Sequence, residues 1–242
     1  MKIAVGCNLL THQNSLAYGS HTLLWHWAGK HMSEDEFFVN FPRRMSIDNM
    51  RNQTAQTALV NGCDYLIFYD DDVCLPKEAF GRLIQTSMRE KADIVAGLTY
   101  VRCYPFKPMA FKFEEEDKDS LRHLTYDEIQ ENETDIIPCD AIGFSTVVIK
   151  VDLLRKLETP FFLTGPNFTE DIYFCLKARD RFPDVKIILD RNIQTDHIVE
   201  SYTISHSNHK GIRKFEEDVY ESKPENPDFN AEDIERAVER CS

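Results

Sequence analysis

Three carboxylates in a row, Asp70, Asp71 and Asp72, follow directly on an apolar run, Asp64 to Tyr69 (DYLIFY). Adjacent carboxylates repel one another and resist desolvation, and a divalent cation relieves both costs. Side chains alternate along an extended strand, so Asp70 and Asp72 are expected on one side and Asp71 on the other. The pair Asp70/Asp72 is then a hard-oxygen site suited to Mg²⁺ or Mn²⁺. The same residues also fit a solvated strand-end turn, with an Asp capping the helix that Pro76 opens.

Several nucleotide folds place an acidic residue after an apolar strand, and the motifs separate them. The chain has no GxxxxGK[ST] run and no GxGxxG. Asp70-Asp71-Asp72-Val73 fits the DxDx[TV] of haloacid-dehalogenase-type phosphatases loosely. That family carries the motif on its first strand, whereas here two strands and a long helix come first. A phosphatase or phosphotransferase with Asp70 as nucleophile remains the alternative enzyme.

The elements that must position these residues alternate. Ile3 to Leu9 and Glu36 to Phe41 read as strands, and Met45 to Val60 has apolar residues at helical spacing up to Asn61-Gly62. DYLIFY reads as a central strand covered on both faces, Pro76 to Glu90 as a helix, and Asp93 to Tyr100 as the next strand. Further on, Ile136–Cys139, Phe144–Ile149 and Lys186–Leu189 read as strands, with helices over Val151–Leu157 and Glu170–Arg181. Glu114 to Asp119 is a charge run expected in a solvated loop. Strand–helix alternation predicts an α/β fold, a mostly parallel central sheet flanked by helices, with ligands beyond the carboxyl ends of the strands.

Taken in order, IAVGCNLL, the helix containing Met50-Arg51-Asn52, CDYLIFYDDDV, DIVAGLTYVR, CDAIGFSTVVIK, GPNFTEDIYFCLKAR and TDHI resemble a GT-A fold glycosyltransferase of the large inverting, nucleotide-sugar-dependent family with a DxD motif. The resemblance spans roughly residues 1 to 200. It implies a single GT-A-like catalytic domain, placed at 1–215, followed by an acidic tail at 216–242 with a short helix. It also implies a metal-dependent transfer of a sugar from a nucleotide diphosphate sugar to an acceptor hydroxyl, with inversion.

By that resemblance Asp72, Asp70 and His197 are the metal ligands, with Asp70 and Asp71 beside the nucleotide. A metal there stabilises the charge on the departing diphosphate, which a chain of this acidity does not otherwise neutralise. Asp171 is the general base on the acceptor hydroxyl, with Glu170 the close second; acidic residues at a helix start also simply complement its dipole. Asp140 and Gly143 lie beside the donor sugar, Gly143 allowing close backbone approach. Arg51 is assigned to the diphosphate or sugar, although a helical Arg ordinarily faces solvent. Lys210, with Arg213, is a candidate lid over phosphate. Trp25 and Trp27 are read as packing residues rather than sugar platforms, and His21, His26 and His31 form no ligand set. A third reading is a non-catalytic scaffold of this fold that only binds nucleotide or metal.

The 242 residues carry 28 Lys and Arg against 41 Asp and Glu, a formal charge of −13, with 42% hydrophobic residues. That composition supports a sizeable core and argues against an extended nucleic-acid-binding surface. The seven cysteines are scattered, with no CxxC and no disulfide or zinc framework. The apolar start is broken by Asn8 and reads as a strand rather than a signal peptide, and no run approaches the length of a membrane span. The three N-x-T sequences, at Asn52, Asn132 and Asn167, are then chance matches. A cytoplasmic, reducing location is expected, and the compact size suits a phage or viral enzyme in its host. The acceptor stays open between a glycan, a lipid-linked sugar, a protein and a modified nucleobase.

Overall fold

In the computed structural model, which describes residues 1–8, 15–42, 45–114, 120–199 and 203–204, the apolar run before the aspartates is a central strand. The chain begins β1 (Lys2–Asn8), α1 (Ser15–His31), β2 (Glu36–Asn40), α2 (Ile47–Val60), β3 (Tyr65–Asp70). It continues β4 (Val73–Cys74), α3 (Ala79–Glu90), β5 (Ile94–Leu98), β6 (Ala110–Phe113), β7 (Leu121–His123), α4 (Tyr126–Gln130). Then come β8 (Ile136–Pro138), β9 (Ala141–Ile142), β10 (Thr146–Lys150), α5 (Val151–Arg155) and α6 (Glu170–Arg181). The described part closes with β11 (Ile187–Gln194), β12 (Asp196–Ile198) and β13 (Thr203–Ile204).

Seven strands form the main sheet in the order β2-β1-β3-β10-β5-β11-β8. β1 is parallel to β2 and β3, and β11 is parallel to β5. β10 runs antiparallel between β3 and β5, and β8 antiparallel to β11. Five strands thus share one direction, as the alternation predicts, with a reversed strand inserted at the centre. Two small sheets, β13-β12-β4 and β7-β6-β9, flank it.

Period-two alternation sorts the core into two layers. Leu66 and Phe68 of β3 face Ala55 and Ala58 of α2 and Phe174, Cys175 and Ala178 of α6. Tyr65, Ile67 and Tyr69 face Leu24 and Ala28 of α1 and Phe80, Leu83 and Ile84 of α3. Helix α1 is an element that the sequence pattern did not reveal. Its inner face is Ala17, His21, Leu24 and Ala28, so two small residues and a histidine stand where a strong apolar stripe would have announced it. Trp25 lies in this layer, its ring against Phe37 and Phe80 and its Nε1–H donating to Tyr69 Oη at 3.1 Å. Trp27 stacks on His31.

The sheet's carboxyl edge gathers the candidate residues. Helices α2 and α6 each precede a strand of the common direction, so Arg51, Glu170 and Asp171, near the helix starts, arrive where β1, β3, β5 and β11 end. The reversed β10 begins there, with Thr146 opposite Tyr69 and Asp70 N–H donating to Ser145 O at 3.1 Å. Register between β5 and β11 slips between Asp190 and Gln194. Gly97 permits the slip, since a Cβ there would stand 2.6 Å from Ile193 O. The bulge turns the chain into β12, which pairs with β4 and sets His197 opposite Val73. Among the described residues no helix is long and apolar enough to cross a membrane.

Candidate active site

Arg51 occupies the centre of the edge, and it is not a surface residue. Its side chain is 2% exposed, between the rings of Phe68 and Phe144, each centroid 5.3 Å from the guanidinium carbon. Nη2 lies 3.4 Å from Asp70 Oδ1 and Nε lies 3.1 Å from Glu170 Oε1. Nε is too poorly aligned with Glu170 for a hydrogen bond, and among the described residues Nη1 has no hydrogen-bond partner either. A buried guanidinium is thus shared by two carboxylates without being saturated by them.

Burial is the largest influence on both acids, and it raises their affinity for protons. Glu170 is pushed above the ordinary carboxylate range by desolvation, Arg51 opposes this, and the neighbouring Asp171 and Asp70 add repulsion. Asp70 is likewise raised by desolvation, opposed by Arg51, and repelled by Asp72.

Asp72 faces a different set of partners. The strand ends at Asp70, and Asp71 and Asp72 form the turn into β4, so strict alternation does not extend beyond Asp70. Asp72 Oδ2 lies 2.8 Å from Arg102 Nη1, and Oδ1 lies 3.5 Å from His197 Nε2. Desolvation pushes Asp72 upward, but the hydrogen bond and charge of His197 and the charge of Arg102 outweigh it, leaving Asp72 below the usual range. Burial chiefly raises the Cys7 thiol, and Asp71, half-buried at the same turn, adds with Asp70 and Asp72 to that rise.

The arrangement of Asp72 and His197 fits a divalent cation. His197 Nδ1 is 2.8 Å from Tyr100 O, and because a carbonyl only accepts, Nδ1–H is the donor. Nε2 faces Asp72 Oδ1 at 3.5 Å, and on losing its proton to make way for an incoming cation it would present a lone pair between the two. An imidazole whose other nitrogen is fixed by a carbonyl is the usual form of a metal-ligating histidine. Among the described residues no three His, Cys, Asp or Glu side chains are grouped to hold an ion. Asp70 is therefore near the pair, and is influenced by both, but is turned to Arg51. Mg²⁺ commonly takes only one or two protein ligands, with water and substrate phosphate completing its shell, so two are chemically sufficient.

At the start of α6 the two acids differ. Asp171 Oδ1 accepts from Ile172 N–H at 2.8 Å and from the Thr169 hydroxyl, while Oδ2 accepts a longer bond of 3.3 Å from Phe144 N–H. Asp140 accepts from Phe113 N–H at 3.0 Å and pairs with Arg179 at 2.9 Å. Gly143 does mark a close approach, but by the protein itself: a Cβ would stand 2.5 Å from Met109 Cε. Lys210, Arg213 and the tail at 216–242 lie outside the described residues. Arg102 and Arg179 were not singled out from the sequence. Arg102 ends the quoted DIVAGLTYVR segment, and its position just past a strand's carboxyl end was the available signal.

No protein-family model matches the chain, and comparison with characterised proteins gives no match. Among solved structures, the crystal structure of A197 from STIV is similar, with a TM-score of 0.58 at 18% sequence identity over 86% of this chain and 91% of that one. At such identity the likeness is one of fold alone. The chain shares with it an α/β fold, built here on a seven-stranded sheet in which five strands run in one direction.

Proposed function

We propose that the chain is a metal-dependent glycosyltransferase, moving a sugar from a nucleotide diphosphate sugar to an acceptor hydroxyl with inversion. The observation that carries this reading is the facing pair Asp72 and His197 at the sheet's carboxyl edge, with the carboxylates of α6 at the same edge. Asp72 and His197 would hold Mn²⁺ or Mg²⁺, which supplies Lewis-acid stabilisation of the departing diphosphate. Tyr100 O fixes the imidazole so that Nε2 stays available.

Glu170 has a structural task in balancing Arg51, at 3.1 Å. Asp171 keeps accepting capacity at Oδ2, whose partner among the described residues is the long bond from Phe144, so Asp171 is the proposed base. Its bonds to Ile172 N–H and Thr169 hold the carboxylate in one orientation, which proton transfer in the transition state requires. Arg51 bridges Asp70 and Glu170 beneath the site.

The test is a thermal-shift panel of UDP, GDP, ADP and CDP with and without Mn²⁺, followed by donor hydrolysis. Nucleotide-specific stabilisation that requires Mn²⁺ and is lost in Asp72→Asn is expected. Asp171→Asn should keep that binding and lose turnover by about 10²-fold or more, while Glu170→Gln should act mainly on stability. Full activity in Asp72→Asn and Asp171→Asn would refute the mechanism. Binding without turnover of any donor would assign a nucleotide-binding scaffold instead.

A further inference from the structure

We propose that Arg102 is an exchangeable internal cation: it neutralises Asp72 when no metal is bound and passes to the diphosphate when metal and nucleotide enter. The inference rests on the nucleotide and metal reading above. Its basis is the division of one carboxylate between two partners, Oδ2 to Arg102 Nη1 at 2.8 Å and Oδ1 toward His197 Nε2 at 3.5 Å. Asp72 cannot give both oxygens to an ion while Arg102 holds one of them, so guanidinium and metal compete.

Arg102 is built to leave. Its side chain is 53% exposed, and that of Asp72 is 28% exposed, so the pair is held by a contact that water already screens. The backbone beneath it stays fixed. Val101 N–H donates to Lys107 O at 2.9 Å, Met109 N–H to Thr99 O at 2.8 Å, and the tip is pinned by Phe106, which is buried. The same stem supplies Tyr100 O, the acceptor that orients His197. One loop therefore positions a candidate metal ligand and carries the cation that guards its partner. A freed guanidinium beside Asp72 is a bidentate donor matched to phosphate oxygens.

Competition for Asp72 and assistance to phosphate have opposite signs in a variant, whereas a merely structural role would move both together. Mn²⁺ binding to Arg102→Gln, measured by titration calorimetry and by the electron paramagnetic resonance signal of free Mn²⁺, should be about fivefold tighter than in the parent. UDP or GDP binding at saturating Mn²⁺ should be about tenfold weaker. Arg102→Lys should fall between on both scales, and melting temperatures should be nearly unchanged because the side chain is exposed. Unchanged or weaker Mn²⁺ binding in Arg102→Gln, with the parent binding normally, overturns the exchange but leaves the metal site standing. Loss of Mn²⁺ binding in both proteins overturns the metal reading and the exchange together.

Discussion

Replacing Arg51 by Met tests whether the centre of the site is held by charge or by packing. Methionine roughly conserves the length of the side chain between Phe68 and Phe144 and removes only the guanidinium. What remains is Glu170, 4% exposed, and Asp70, both stripped of their cation. Removing one partner of a buried ion pair costs about 3–5 kcal/mol, because the other charge is left uncompensated. The two cation–π contacts add roughly 1–2 kcal/mol. At pH 7.5 the variant should therefore lose about 4–7 kcal/mol.

The sign of the pH dependence follows from the direction of the shifts. Glu170 and Asp70 bind protons more tightly in the folded chain than in the unfolded one, since desolvation outweighs Arg51. The folded state therefore takes up protons at pH values above about 4 where the unfolded state has released them, and stability falls as pH rises through that window. Without Arg51 the shifts grow and the fall steepens. At pH 4.5, with both acids largely protonated, the deficit should shrink to the roughly 1–2 kcal/mol of the ring contacts. Urea unfolding followed by far-ultraviolet circular dichroism at the two pH values gives both numbers. Arg51→Met/Glu170→Gln should recover about half of the loss at pH 7.5. An equal deficit at both pH values, or no recovery in the double variant, refutes the electrostatic account.

Away from the site, Glu128 closes a capping box with Thr125 and accepts two bonds from Arg122, at 2.7 and 2.8 Å. The Arg122 hydrogen bonds push its carboxyl down to about 2. Its contribution is present above pH 4.5 and is lost as pH falls toward 2, so Glu128→Gln should cost about 1 kcal/mol at pH 7 and nothing near pH 2 in paired urea titrations. Gly143→Ala meets a flexible side chain at its closest point, Met109 Cε at 2.5 Å, and should cost about 1–3 kcal/mol, part of it recovered by Met109→Ala. Gly97→Ala meets a backbone carbonyl at 2.6 Å, so Ile193→Ala should restore nothing. Full rescue at Gly97 would contradict the bulge packing.

What was legible in the sequence follows from how each element is buried. β3 and β5 are covered on both faces, so their runs are unbroken apolar and needed no partner to be recognised. The starts of α2 and α6 fell within a residue or two of their expected places. The insertion of β10 between β3 and β5 could not be read, because strand order is set by packing between segments far apart in the chain. The alternation rule covers Asp70 but not Asp72 for a local reason: it holds only while the chain stays extended, and the strand stops at Asp70. Arg51 was legible after all. The buried face of α2 is Met50, Arg51, Thr54, Ala55 and Ala58, so position 51 belonged to the stripe, and only its charge argued for solvent.

The acidity of the chain takes on a particular meaning at this edge. Three ion pairs can be compared: Asp70 with Arg51 at the edge, Asp140 with Arg179 toward the far end of α6, and Asp72 with Arg102 at the edge. The charges are similar, but the exposures of the arginines differ, at 2%, 29% and 53%. Desolvation fixes the first, since extracting Arg51 would strand two buried acids. The second is partly fixed by its stacking near Phe113, 5.6 Å from the ring centroid. Only the third is bound by a contact that water already weakens, and it is the one whose carboxylate also faces His197. Burial, rather than charge, therefore decides which carboxylate is structural and which is available to a ligand.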